Sequence, residues 1–249
     1  MPVKGSKSAG RKVAVVTGSG RRLGRQSALA LAGDGWDIVV NYAHSAREAA
    51  RTVKQIEALG VEAMAVKSDI TDSKQVDKMF ARAVARFGRI DLLVNNAAIF
   101  PRATRFVDIS DGLWDYVLST NLTGQFYCAR AAAKRMADRG GRIINFASIG
   151  GVQAWAGFVP YNVAKAGVVM LTRALSKALA PKILVNAIAP GTIIINGEES
   201  GNIRHIPTER IPLKKYGGVA DITSAILYLA HAEYITGQVI AVDGGRSVL

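Results

Sequence analysis

Short apolar, β-branched runs alternate with amphipathic helical patterns along the whole chain, and few folds accept that alternation. The runs are Lys12–Thr17 (KVAVVT), Asp37–Tyr42 (DIVVNY), Val61–Val66, Ile90–Val94, Ile143–Ala147, Ile183–Ala189 and Gln238–Val242. Runs apolar at every position suit strands buried on both faces, as in a parallel sheet. Between them, 3.6-residue periodicity predicts helices over Leu23–Ala32, 45–59, 72–87, 112–137, from about Val159 to Ala180, and Asp221–Ala230. In the second helix the apolar stripe is Ala49, Val53, Ile56 and Leu59; in the third it is Val76, Met79, Phe80 and Val84. Strands alternating with helices predict an α/β fold: a single doubly wound parallel sheet of the Rossmann type, with helices on both faces. No internal repeat, low-complexity tract or linker divides the chain. Residues 1–11 read as a basic tail, 12–249 as one domain, and the Gly/Pro-punctuated stretch 192–212 as a lid, being too long for an ordinary connection.

Composition narrows the function classes. The chain has 249 residues, 49% of them hydrophobic, which suffices for a sizeable core and excludes whole-chain disorder. No apolar run is long enough to cross a membrane. The first residues, MPVKGSKSAGRK, lack the apolar centre of a secretory signal. A single cysteine, Cys128, excludes an internal disulfide, and the three scattered histidines show no metal-ligand spacing. A reducing, cytoplasmic setting is expected. The net charge of +13 is uneven: the first 33 residues carry seven of the 32 Lys/Arg and no acid. Such an excess suits phosphates, an acidic carrier protein or nucleic acid; no nucleic-acid recognition motif accompanies it.

Three places carry chemistry. Directly after the first strand runs Gly18-Ser19-Gly20-Arg21-Arg22-Leu23-Gly24, and then a helix begins. Strand, glycine loop and helix N-terminus present backbone N–H groups to a phosphate. The spacing is T-G-x-x-x-R-x-G, with Arg22 in the place of a third glycine. The second strand ends in Asn41, Tyr42, Ala43, His44, Ser45, Ala46 and Arg47, without a carboxylate before Glu48. An acid there would accept from a ribose 2′-hydroxyl and repel a 2′-phosphate, so its lack, with Arg22 close by, favours NADP(H) over NAD(H). The fourth strand ends in Asn95-Asn96-Ala97-Ala98, small and amide residues suited to close approach by a ligand or to tying neighbouring loops.

The third place is residues 142–167. An apolar run reaches Ser148, a Gly-containing loop follows, and a helical pattern then holds Tyr161 and Lys165. Tyr and Lys at i and i+4 share one helix face. An ammonium beside a phenol is expected to lower its pKa, and a phenol tuned toward neutrality can exchange a proton with a carbonyl or alcohol oxygen. Ser148 is placed to hydrogen-bond that same oxygen. Asn121, in the middle of a long helical pattern, predicts a kink.

Taken in order, Thr17-Gly18-x-x-x-Arg22-x-Gly24, Asp69, Asn95-Asn96-Ala97-Ala98, Asn121, Ser148, Tyr161-x-x-x-Lys165 and Pro190-Gly191 resemble the short-chain dehydrogenase/reductase family over nearly the whole chain. The resemblance implies that Tyr161 is the general acid/base and that Lys165 binds the nicotinamide ribose. Ser148 would hold the substrate oxygen, and Asn121 would anchor a water in a proton relay. It further implies NADPH bound by Gly18, Ser19, Arg21, Arg22, Leu23 and Gly24, by Asn41, His44 and Ser45, and by Asp69 and Ile70 at the adenine. Asn96, Ala97, Ala98, Pro190, Gly191, Thr192 and Ile193 would complete the cofactor site. Among members the chain most resembles 3-oxoacyl-acyl-carrier-protein reductases of fatty acid biosynthesis. That implies a carbonyl substrate, a possible acidic acyl carrier protein partner docking near Arg139 and Lys177, and a homotetramer. The Arg22 form of the loop is similar to pteridine reductases, and Phe100 is placed where it could stack on a pterin. Those enzymes, however, usually carry Asp where this chain has Ser148. A non-catalytic dinucleotide-binding regulator is a third possibility, one that would not need the intact Tyr/Lys pair.

Overall fold

A computed structural model describes residues 10–195 and 206–248. Seven strands, β1 (Val13–Val16), β2 (Asp37–Tyr42), β3 (Ala63–Lys67), β4 (Leu92–Asn95), β5 (Gly141–Phe146), β6 (Ile183–Pro190) and β7 (Val239–Val242), form one all-parallel sheet in the order β3-β2-β1-β4-β5-β6-β7. The helices are α1 (Arg22–Gly33), α2 (Ala46–Glu57), α3 (Ser73–Phe87), α4 (Asp111–Leu118), α5 (Gly124–Met136), α6 (Val159–Leu179) and α7 (Val219–His231). The expected doubly wound sheet is therefore present.

The central strands have no polar face. Val13 to Val16 and Leu92 to Val94 are all at most 1% exposed, because helices cover both sides. One core layer joins α1, α2 and α7 to the sheet through Leu31, Trp36, Ile56 and Ile226; the other joins α3 and α5 through Met79, Phe80, Cys128 and Met136. Cys128 is fully buried, which pushes its thiol pKa far up and makes it an unreactive apolar filler. Leu59 departs from the expected stripe. The α2 helix ends at Glu57, so Leu59 leaves the helical phase and lies half exposed. In α3, Ala83 rather than Val84 completes the buried face.

The long helix expected over 112–137 is interrupted where Asn121 sits. Between α4 and α5, Ser119–Thr123 form a π-turn in which the Gly124 N–H reaches back to the Ser119 carbonyl. Such single-turn widenings are uncommon in helices and concentrate at functional sites. At the other boundaries the sequence supplies ordinary caps. The Asp72 carboxylate accepts from the Lys74 and Gln75 N–H groups at the start of α3, and Ser110 accepts from Leu113 at the start of α4.

Because β1 leads leftward to β2 while β4 leads rightward to β5, the sheet has its topological switch between β1 and β4. In such sheets ligands bind at the carboxyl edge beside this switch. The glycine loop, Asn95–Ala98, Ser148 and Pro190-Gly191 all leave strands at that edge.

Candidate active site

The glycine loop is built from the inside. Gly18 has φ +62°, and a Cβ there would lie 2.9 Å from the Ala97 Cα; at Gly24 a Cβ would lie 2.4 Å from both the Gly18 carbonyl oxygen and the Asn96 amide nitrogen. Only glycine allows β1, α1 and the β4 exit to approach this closely. Arg22 also has a left-handed φ, +52°, which explains why a glycine would suit its place.

Several residues expected at the cofactor hold this loop through their side chains. Ser19 is fully buried; its hydroxyl donates to the Val16 carbonyl (2.7 Å) and its N–H to the Asn41 carbonyl (2.9 Å). Asn41 is 1% exposed, accepts from the Gly18 N–H (3.1 Å) and donates to the Val66 (3.4 Å) and Ser68 (2.9 Å) carbonyls. The Asn96 amide donates to the Thr17 (2.9 Å) and Gly18 (3.3 Å) carbonyls. The side-chain polar groups of these three residues expected at the cofactor thus bond the protein's own backbone. A tight loop leaves buried backbone groups that need partners, and these side chains supply them. His44 is exposed and Ser45 partly so, with the Ser45 hydroxyl against Gly20.

The loop still fits a dinucleotide pyrophosphate. No side chain caps α1, its first turn contains no acid, and Arg21, Arg22 and Arg25 surround its start. An uncapped N-terminus with local positive charge has the donor set that a phosphate needs. Asp69 is held by its own turn, accepting from the Thr71 N–H and hydroxyl, and Ile70 lies buried under Gly124. Ala97 is partly buried and Ala98 exposed at the mouth of the cleft. At the far side, Thr192 and Ile193 are pinned by Gly217: its N–H donates to the Thr192 carbonyl, and Ile193 and Gly217 form an isolated parallel bridge. Thr192 also accepts from the Arg246 guanidinium (3.2 Å). These contacts fix the near base of the stretch expected to be a lid; residues 196–205 of that stretch lie outside the described residues.

The structure brings Ser148, Tyr161 and Lys165 together. Ser148 caps a short turn by accepting from the Gly150 N–H (3.1 Å), and its hydroxyl lies near enough to Tyr161 to act on the phenol. Lys165, one helical turn along α6, is 2% exposed; its ammonium lies 5.8 Å from the Tyr161 ring centroid and donates to the Phe146 carbonyl (2.7 Å). Aromatic rings form a wall here. Phe100 meets Tyr161 edge-on at 4.8 Å and stacks on Phe158 at 4.8 Å, while Trp155 lies nearly parallel to Tyr161 at 6.3 Å. The sequence singles out Phe100; Trp155 and Phe158 signal themselves only by lying close before the Tyr-x-x-x-Lys pattern.

The expected electrostatic tuning is not what this arrangement produces. Burial pushes the Tyr161 phenol pKa up, and the Ser148 hydrogen bond pulls it only partly back. Burial meanwhile drops Lys165 to about 7. The correction has a physical cause. Burial penalises both charged forms, and the ammonium donates to the Phe146 carbonyl. Tyr161 therefore stands protonated at neutral pH, as a proton donor must.

Asn121 is fully buried in the π-turn. Its side chain accepts from the Ile99 N–H (2.8 Å) and donates to the Ile99 carbonyl (2.9 Å), clamping the segment after β4. Among the described residues no cluster of His, Cys, Asp or Glu could hold a metal, and no helix is long and apolar enough to cross a membrane.

Comparison with known proteins agrees with this geometry. Residues 18–247 match the family model described as enoyl-(acyl carrier protein) reductase. A 3-oxoacyl-[acyl-carrier-protein] reductase from Synechocystis sp. is 41% identical over 239 residues, covering 94% of this chain and 96% of its own. The chain belongs to the short-chain dehydrogenase/reductase family. It is thus an oxidoreductase of a nicotinamide-dependent family. A Staphylococcus epidermidis 3-oxoacyl-[acyl-carrier-protein] reductase FabG is 40% identical, with 94% of this chain and 98% of the relative covered. Among solved structures, acetoin dehydrogenase from Enterobacter cloacae superposes with a TM-score of 0.88 at 33% identity, covering 97% of each chain. Acetoin dehydrogenase YohF from Salmonella typhimurium gives 0.87 at 32%, covering 96% of each.

Proposed function

We propose that the protein is an NADPH-dependent carbonyl reductase acting on 3-oxoacyl thioesters, with Tyr161 as proton donor. The observation that carries this reading is Ser148, Tyr161 and Lys165 gathered at the carboxyl edge of the sheet, with the Ser148 hydroxyl acting on the phenol and the Lys165 ammonium 5.8 Å from its ring. The bound nicotinamide supplies the hydride. Ser148 and Tyr161 converge on the substrate oxygen, polarise it, and are placed to stabilise the charge that develops there. Tyr161, protonated at neutral pH, delivers its proton to that oxygen. Lys165 has three donor hydrogens and spends one on Phe146, leaving two for the phenol side and a ribose hydroxyl. Asn121 holds the segment that forms one wall of the cleft. The arginines at the start of α1 and the carboxylate-free end of β2 favour the 2′-phosphate of NADPH.

Relatives named as 3-oxoacyl-carrier-protein reductases support the thioester class. The basic surface, with Arg139 and Lys177 exposed, suits an acidic carrier. Half-buried apolar residues on the edge strand β7, with exposed Phe126 on α5 and Met170 on α6, suit a homotetramer. The test is NADPH oxidation with acetoacetyl, crotonyl and dihydropteridine substrates side by side. The proposal expects acetoacetyl thioester to be turned over fastest. Faster crotonyl reduction would replace carbonyl with enoyl chemistry. A preference for dihydropteridine would favour the pteridine alternative, and tight NADPH binding with no turnover would indicate a regulator.

A further inference from the structure

Gln125 is a large polar side chain in a place where an apolar one would be expected. It lies on α5, among residues packed against the sheet, and is fully buried. Its amide nitrogen donates to two carbonyl oxygens at once, those of Asn121 (3.1 Å) and Phe146 (3.2 Å). The Phe146 oxygen is the one that accepts the Lys165 ammonium. The Gln125 amide oxygen has no hydrogen-bond partner, although it is buried. Beside it Asn95 donates to the Gln125 carbonyl (3.2 Å) and to Asn145 (2.9 Å), Asn145 donates to Thr172 (3.0 Å), and the Asn95 side-chain oxygen is also unpartnered. A buried amide with an unmet oxygen costs stability relative to an apolar residue of the same shape. A packing role alone does not account for it.

We infer that Gln125 is a positioning residue for proton transfer, its amide holding the Phe146 and Asn121 carbonyls as a pair and so fixing where the Lys165 ammonium points. This inference rests on the carbonyl-reductase reading. A carbonyl oxygen has two lone pairs. With Gln125 on one lone pair of Phe146, Lys165 is confined to the other. Gln125 also bonds the Asn121 carbonyl, which ties the π-turn to the end of β5. Without the amide the Phe146 carbonyl becomes a better acceptor and loses that tie. It would draw the cation further from Tyr161 and stabilise its charged form.

The groups facing the ammonium are few. The Tyr161 ring comes from its own helix and the Phe146 carbonyl from the end of β5, and neutral Gln125 on α5 shares that carbonyl with it. No carboxylate pairs with Lys165 among the described residues, and burial is the cause of its lowered pKa.

The experiment compares wild type with Gln125→Met, which keeps the shape and removes both donors, and with Gln125→Glu. Two quantities are read: the NMR titration of the Lys165 ε-methylene in the protein without substrate, and the kcat–pH profile with acetoacetyl thioester. In Gln125→Met the Lys165 titration should move up by about half a unit or more. Its kcat should fall roughly tenfold while KM for NADPH stays within about twofold. Gln125→Glu, which can donate to one of the two carbonyls when protonated and to neither when ionised, should also move the titration up. A Gln125→Met protein that titrates and turns over like wild type, whatever its melting temperature, overturns the inference. If Gln125→Met does not fold, an unshifted titration in Gln125→Glu overturns it equally. A shifted titration in a protein whose wild type reduces no carbonyl would sustain the positioning role and remove the carbonyl-reductase reading instead.

Discussion

The two halves of the cleft are built on opposite plans. Around the glycine loop the side chains face inward: Ser19, Asn41 and Asn96 bond to the protein's own backbone, and what they leave for a ligand is main chain and helix terminus. Around β5 and α6 the reverse holds: Ser148, Tyr161 and Lys165 converge, and the backbone serves to aim them. A phosphate is met by an array of N–H groups, which any sequence supplies once the loop is shaped. A proton transfer needs one particular atom with one particular pKa. Substitutions in the first half should therefore act on loop shape, stability and cofactor affinity, and those in the second on turnover.

The largest effect expected outside the phenol itself is at Ser148. Ser148→Ala removes one of two groups on the substrate oxygen, so kcat should fall about 10²- to 10³-fold, with little change in NADPH affinity by fluorescence titration. A loss expressed mainly in cofactor binding would erase the contrast between the halves. Asn41→Leu should do the opposite. It strands the Gly18 N–H and two carbonyls, so chemical denaturation should show a loss of about 2–3 kcal/mol, and KM for NADPH should rise more than kcat falls.

Lys165 gives a pH signature. Its folded-state pKa, about 7, lies below the ordinary lysine value, so between those two the unfolded chain binds the extra proton. Stability without ligand should then climb as pH rises from about 7 toward about 10, and the climb should flatten in Lys165→Met. Tyr161, pushed up, works the other way only above its ordinary value of 10.0. A melting curve insensitive to pH in that window would mean that the ammonium is not desolvated as described. The smallest effect is at Arg22. Arg22→Gly relieves a left-handed φ at the cost of chain entropy, so stability should change by less than about 1 kcal/mol, while the preference for NADPH over NADH declines.

The same contrast explains what could be read from residues alone. The sheet was legible because strands buried on both faces leave unbroken Val, Ile and Leu runs, and Ser148, Tyr161 and Lys165 were legible because they are brought together by local spacing and one strand exit. The inward turn of Ser19, Asn41 and Asn96 was not, because it depends on which buried backbone groups lack partners after the chain has folded. Nor was the direction of the Tyr161 shift. Spacing places Lys165 nearby, but the burial that outweighs it is set by the fold, which brings Phe100 edge-on to Tyr161 from 61 residues upstream. Gln125 was invisible for the same reason, since its partners at Asn121 and Phe146 meet only through the π-turn. Asn121 itself was a partial success: its residue type signalled a break in the helix, and the break is a widened turn.

The account turns on the hydroxyl of Tyr161. Single-turnover oxidation of bound NADPH by saturating acetoacetyl thioester, in wild type and Tyr161→Phe, measures its contribution with binding held apart. The prediction is a loss of about a thousandfold in the variant with the dissociation constant for NADPH unchanged. Equal rates in the two proteins would show that the proton comes from elsewhere.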